Sequence, residues 1–163
     1  MIFETYQLDI KDIKNGKRSI KLLPLDKSKV AALNEDRRKI YIVCDVKAVL
    51  YVGEASTSIK TRFQRSATAY NYFKANDIAR GGYKGYKWLD PQNNKSNSLT
   101  LYVVIFDDSY DKKRDVIEAI EGELVYEIRQ KTGKWAMWQN EIHFSNVEGA
   151  NNIAKQILEE FKI

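Results

Sequence analysis

Apolar residues recur along the chain at alternating, helical and unbroken spacings, and each spacing predicts an element. Tyr6-Gln7-Leu8-Asp9-Ile10 alternates, Asn15-Gly16 is a strong turn dipeptide, and Ser19-Ile20-Lys21-Leu22 resumes the extended pattern until Pro24 ends it. The pattern predicts a hairpin, either an accessory sheet or an arm against the core. Asp26 to Asn34, with Val30, Ala31 and Leu33, predicts a short helix, and Asn34-Glu35-Asp36-Arg37-Arg38 a charged linker.

Ile40 to Cys44 is β-branched and reads as a strand; Asp45-Val46-Lys47 is a turn and Val49 to Val52 the partner strand. Gly53 closes that strand, where glycine permits a positive φ or the close approach of another group. Thr57 or Ser58 caps a helix with Ile59, Phe63, Ala67 and Tyr70 on one face and Arg62, Arg65 and Ser66 beside it. Residues 76 to 98 hold Gly81-Gly82, Gly85, Pro91 and an Asn/Ser-rich run, the composition of a long functional or mobile loop. Leu99 to Phe106 is a buried strand by length and β-branching. A helix follows from about Lys112 to Lys131, striped by Val116, Ile120, Leu124 and Ile128, flanked by Glu118, Glu121 and Glu127, and stopped by Gly133. Trp135 to Asn140 is an aromatic-rich connection and Ile142 to Phe144 a short strand. Ser145-Asn146-Val147-Glu148 has a capping-box pattern ahead of a last helix to about Phe161.

The 163 residues make one domain by length, 44% hydrophobic and 30% charged. No apolar run approaches the length of a membrane span, and the N-terminus lacks a secretory pattern. Cys44 is alone in an apolar run, which excludes an intrachain disulfide. One cysteine and one histidine exclude a Cys/His zinc site. The expected setting is reducing and cytoplasmic. The net charge of +5 is unevenly spread: Lys60 to Lys95 holds eight basic residues against Asp77 and Asp90, so the rest of the chain carries −1. That segment also holds Tyr70, Tyr72, Phe73, Tyr83, Tyr86 and Trp88. Such interleaving suits a phosphate backbone and exposed bases, or equally a lysine-rich surface with its aromatics turned inward.

Two tyrosines, Tyr41 and Tyr51, lie ten residues apart on the central strands. Periodicity alone does not say whether they share a face, because the turn intervenes. The whole pattern resembles the GIY-YIG nuclease family. Lys39-Ile40-Tyr41 stands for the first triplet, Tyr51-Val52-Gly53 for the second, Arg62 for the arginine on the next helix, Glu121 for the later glutamate and Asn140 for the asparagine. Glu121 is followed by Leu124 and Val125 as in the family, whereas Glu118 is followed by Glu121 and Gly122. The resemblance covers roughly residues 39 to 140, broken by 67 to 98.

The resemblance implies an α+β fold: a small three-stranded antiparallel sheet flanked by helices. Residues 1–38 would be an N-terminal hairpin or arm extension, 39–144 the core and 145–163 a C-terminal helix. It also implies metal-dependent hydrolysis of DNA phosphodiesters. Glu121 would hold Mg²⁺ (or Mn²⁺), Arg62 would clamp the phosphate, and Asn140 would support the site. A tyrosine would act as base, Tyr41 with Tyr51 orienting water or phosphate, or the reverse. A phenol's ordinary pKa near 10 means a nearby cation must assist. Lys60, Arg65, Tyr70, Lys74, Arg80, Lys84 and Lys87 are the expected nucleic-acid contacts. Specificity would come from that loop, the N-terminal arm or a homodimer. Three departures stand out: Lys39 for the first glycine, Ser66 where many members carry histidine or tyrosine, and Glu54 where some have lysine. The competing expectation is a non-catalytic nucleic-acid-binding or protein-interaction module on the same fold.

Overall fold

The computed structural model describes residues 1–79, 86–93, 95–139 and 142–163. Its strands are β1 (Ile2–Asp12), β2 (Arg18–Pro24), β3 (Lys39–Cys44), β4 (Val49–Ala55) and β5 (Ser98–Ile105). Its helices are α1 (Ala31–Asn34), α2 (Ile59–Asn76), α3 (Arg114–Thr132) and α4 (Ala150–Phe161). The strands form one five-stranded sheet in the order β2-β1-β5-β3-β4, with every pairing antiparallel. The mixed α+β class holds, but the three-stranded sheet does not. β1 pairs with β5 from Ile2 opposite Ile105 to Asp9 opposite Ser98, so the N-terminal hairpin extends the same sheet and is not an arm laid on it.

Helices cover both faces of this sheet. On one face Tyr41, Val43, Tyr51, Leu101 and Val103 pack with Ile59, Phe63 and Tyr70 of α2. On the other, Ile40, Ile42, Val52 and Val104 pack with Ile120, Leu124 and Ile128 of α3 and Ala154, Ile157 and Leu158 of α4. A strand covered on both sides needs apolar residues at successive positions, and all six residues of β3 are buried.

The hairpin turns through Asn15 (φ 64°) and Gly16 (φ 71°), the left-handed pair that Asn-Gly favours. The expected helix at 26–34 shrinks to one turn, α1, whose N-terminus is capped from a distance. The buried Glu4 carboxylate of β1 accepts the N–H groups of Ala31 and Ala32, both at 2.9 Å, and the Tyr6 hydroxyl. α2 starts where Ser58 Oγ accepts the Thr61 N–H, and α3 ends on Gly133 at φ 73°. Residues 142–144 form no strand, and His143 is exposed there rather than at a strand end. α4 begins at Ala150 behind Gly149 (φ 82°), after the residues of the capping-box pattern. Among the described residues no helix is long and apolar enough to cross a membrane.

Lys39 is fully buried. Its ammonium donates to the carbonyls of Glu35 (2.8 Å), Arg37 (2.6 Å) and Thr57 (3.1 Å), tying the linker before β3 to the loop before α2. Burial pulls its pKa down to about 8. Lysine in place of the family's glycine is therefore a clasp. Lys39→Met should leave three carbonyls without their charged donor and cost about 2–4 kcal/mol. A thermal midpoint within a degree of the parent would refute the clasp.

Candidate functional site

Pairing across the β3–β4 turn settles what the spacing left open. Tyr41 stands opposite Gly53 and Val43 opposite Tyr51, so both tyrosines project from the same face, toward α2. Their ring centroids are 6.1 Å apart, and Phe63 of α2 meets Tyr41 edge-on at 5.2 Å. Tyr41 is only 2% exposed. Its hydroxyl oxygen accepts a hydrogen bond from Arg62 Nε at 3.0 Å. Arg62 occupies the first turn of α2, flanking the apolar stripe, so the packing of Phe63 also sets the guanidinium beside Tyr41.

Gly53 has no positive φ; space is what excludes a side chain. A Cβ there would lie 2.5 Å from Tyr41 Oη, 2.6 Å from its Cζ and 2.8 Å from Tyr51 Cε1. Of the two roles open to this glycine, close approach is the one realised.

Glu121 sits on α3, across the sheet from α2. The helical stripe put it on a flank, but only 9% of its surface is exposed. It makes no hydrogen bond or ion pair with the described residues. Burial pushes its pKa up to about 8, helped by the charges of Glu54 and Glu118 and opposed by that of Arg62. The fold thus brings Arg62 and Glu121, 59 positions apart in sequence, within electrostatic reach of one another. β4 is the last strand of the sheet, so residues from helices on opposite faces can meet around its free edge.

Glu54 follows Gly53 and points to the opposite face. Its carboxylate is paired with Arg38 Nη1 at 2.9 Å, and most of both side chains is buried. Arg38 also donates through Nε to the Asp111 carbonyl at 3.3 Å. The negative charge of Glu54 is thereby partly offset by a cation that neighbours it in space but not in sequence. Gln139 was also missed. Its side-chain amide accepts the Val52 N–H at 2.9 Å and donates to the Val52 carbonyl at 3.1 Å, while the N–H groups of Met137 and Trp138 reach the carbonyls of Val49 and Leu50. Residues 137–139 thus cover the edge of β4 up to the residue before Gly53. An amide beside a tryptophan gives no sequence signal for such an interaction.

Other expected site residues lie elsewhere. Ser66 is buried and its hydroxyl donates to the Arg62 carbonyl at 3.3 Å, a bond within the helix. Tyr70, expected on a nucleic-acid surface, is 1% exposed and stacks edge-on against Tyr86 at 6.1 Å, because it continues the apolar stripe of Ile59, Phe63 and Ala67. Tyr86 and Trp88 are buried with it, whereas Tyr72 is exposed. For those three aromatics the inward alternative is the one observed. Lys60, Arg65, Lys74 and Lys87 are exposed, with Lys74 Nζ 3.9 Å from Asp90. Asn140, Arg80 and Lys84 lie outside the described residues. Cys44 is buried and its thiol is pushed up to about 12, consistent with a small packed side chain.

Among the described residues no group of three or more His, Cys, Asp or Glu is placed to hold a metal ion. A hard divalent cation requires less, one or two carboxylates with water and substrate oxygens completing its shell. Glu121 fits that role: it is anionic when ionised, nearly enclosed and without a hydrogen-bond or ion-pair partner among the described residues. A larger groove of about 680 Å³ runs alongside α3, but Gly122, Val125, Tyr126, Trp135, Met137 and Phe144 make it apolar, and it excludes Tyr41, Arg62 and Glu121. Tyr41 and Tyr51 lie on β3 and β4 instead, with Arg62 beside Tyr41.

No protein-family model, curated protein or solved structure matches this chain.

Proposed function

We propose that the protein is a metal-dependent DNA endonuclease of the GIY-YIG type. The observation that carries this is Glu121, a carboxylate nine-tenths buried with no hydrogen-bonding partner among the described residues, under the influence of the guanidinium that Tyr41 accepts from. A buried ionised carboxylate is costly unless a cation meets it.

Glu121 would hold Mg²⁺ or Mn²⁺. When bound, such an ion polarises phosphate oxygens and lowers the cost of charge build-up. Arg62 donates through Nε to Tyr41, and its planar guanidinium has the charge and fork geometry that suit a phosphate. A guanidinium donating to a phenolic oxygen favours the deprotonated phenol, so Arg62 also prepares Tyr41 to take the proton of an attacking water. Tyr51, on the same face, orients that water or the phosphate. The opposite division of labour between the tyrosines is less favoured because Arg62 donates to Tyr41. Gly53 keeps the space between the rings clear.

The burial of Ser66 favours a second reading, a DNA-binding module without catalysis: where many family members carry a histidine or tyrosine, this hydroxyl is used inside α2. Plasmid DNA with Mg²⁺ or Mn²⁺ separates the two. Cleavage by the parent and none by Glu121→Ala supports the nuclease. Clean binding without cleavage in either metal supports the module.

A further inference from the structure

The role of the N-terminal hairpin is open in the sequence and unexplained by the site at β4. Between Asp9 and Lys21 it carries Lys11, Lys14, Lys17, Arg18 and Lys21 against two acidic residues, Asp9 and Asp12. Both acids are engaged. Asp12 accepts from Arg18 Nε at 2.9 Å, and Asp9 accepts from Gln7 Nε2 at 2.7 Å and Ser98 Oγ at 3.4 Å. The four lysines are exposed and form no ion pair with the described residues. The left-handed Asn15 and Gly16 fix the turn that presents Lys14 and Lys17.

The hairpin is held rigidly against α2. The Arg18 N–H donates to Asn71 Oδ1 at 2.7 Å, Asn71 Nδ2 donates back to the Arg18 carbonyl at 2.9 Å, and Arg18 Nη1 reaches the Leu89 carbonyl at 2.6 Å. α2 itself carries Lys60, Arg62, Arg65 and Lys74 and no acidic residue. Between the two runs a groove of about 670 Å³ with an apolar floor that includes Ile20 and Phe63. Lys21, Lys60, Gln64 and Thr68 are among its lining residues, and none of the lining residues is acidic. The basic surplus assigned by sequence to residues 60–95 is thus continued in space by a second basic segment from the N-terminus.

Lysines on an edge strand also discourage strand-to-strand aggregation, and β2 is such an edge. That role does not account for Lys14 and Lys17, which lie in the turn beyond the strands, or for a facing helix without acids. We propose that the groove between the hairpin and α2 holds the sugar–phosphate backbone of duplex DNA. Lys14 and Lys17 of the hairpin turn, Lys21 of β2 and Lys60 of α2 flank the groove and meet its phosphates, and α2 leads that strand toward Arg62. The proposal rests on the nuclease reading for its substrate class, and it replaces the buried Tyr70 with a hairpin surface.

The test uses the full-length chain, a fluorescently labelled DNA duplex and EDTA, so that affinity is read without cleavage. A Lys14→Gln/Lys17→Gln/Lys21→Gln variant is compared with the parent and with a control of equal charge change, Lys131→Gln/Lys155→Gln/Lys162→Gln. The hairpin variant should bind at least about tenfold more weakly, with its log-affinity against log-salt slope reduced by about 2–3, while the control changes much less. The exposed sites should leave thermal midpoints unchanged. Equal affinities and slopes for the two variants overturn the inference; if the parent still cuts plasmid, the nuclease reading survives. A hairpin effect without any cleavage supports the groove and overturns the nuclease reading. A parent that neither binds nor cuts overturns both.

Discussion

Glu121→Gln is expected to abolish metal-dependent cleavage and, in chelator, to flatten the pH dependence of stability. The sign follows from the direction of the shift. Burial raises the Glu121 pKa from its ordinary 4.5 to about 8, so the folded protein binds a proton that the unfolded chain has lost. Its contribution to stability is full below about 4.5 and is lost as pH rises through about 8. Total loss is on the order of 2–5 kcal/mol, the upper end corresponding to the whole shift. Thermal melts from pH 5 to 9 in EDTA should show the parent's midpoint falling and the glutamine variant's staying level. Adding Mg²⁺ at pH 8 to 9 should restore the parent and leave the variant unmoved. Cleavage by the variant should drop roughly a thousandfold or more. Parallel melting curves for the two proteins, with equal responses to Mg²⁺, would remove Glu121 from the metal site.

The second large effect belongs to Gly53. An alanine Cβ would overlap Tyr41 Oη and Cζ and the Tyr51 ring, all closer than 3 Å. Neither ring has an easy retreat. Tyr41 is nearly sealed, braced by Phe63 and tied to Arg62, and Tyr51 is packed in the same core. Gly53→Ala should therefore cost about 1–3 kcal/mol as overpacking. If Tyr41 is the base proposed above, displacing it from its guanidinium by even about an ångström should slow cleavage about a hundredfold. The readouts are a thermal melt, the near-ultraviolet tyrosine dichroism and a plasmid nicking rate. A variant with parental dichroism and rate would mean the rings have slack that their packing denies.

Much of the central sheet was legible because its strands are buried on both faces. A run such as Leu99 to Phe106 is apolar at nearly every position, and few other elements of that length are. The hairpin was legible for the same local reason, through its alternation and Asn15-Gly16. Its destination was not. Nothing in Tyr6 to Ile10 specifies Leu101 as a partner, since strand pairing at that separation leaves no periodic trace. Boundaries moved where a distant group did the capping. Glu4 supports α1 from β1, and the Ser145 pattern gave way to Gly149. The sequence showed the order of Tyr41, Arg62 and Glu121, but not that Arg62 Nε would donate to Tyr41. The enclosure of Glu121, the Arg38–Glu54 pair and the Gln139 clamp were not legible either, because each depends on which surfaces the fold presses together. Tyr70 was misplaced because one aromatic serves equally well in a core stripe or as a stacking platform, and composition cannot separate them.

The pairing of β1 with β5 has a consequence for how the chain folds. The hairpin precedes the rest of the sheet in the chain, yet the strand that completes its inner edge, with Ile105 opposite Ile2, follows only after β3, β4 and α2. Until then the N-terminal strand presents an unpaired row of backbone groups along that edge. Contacts this far apart in sequence form slowly, and unpaired edges invite association with other chains. The exposed lysines of the hairpin put like charges beside that edge, which opposes such pairing while the middle of the sheet is missing.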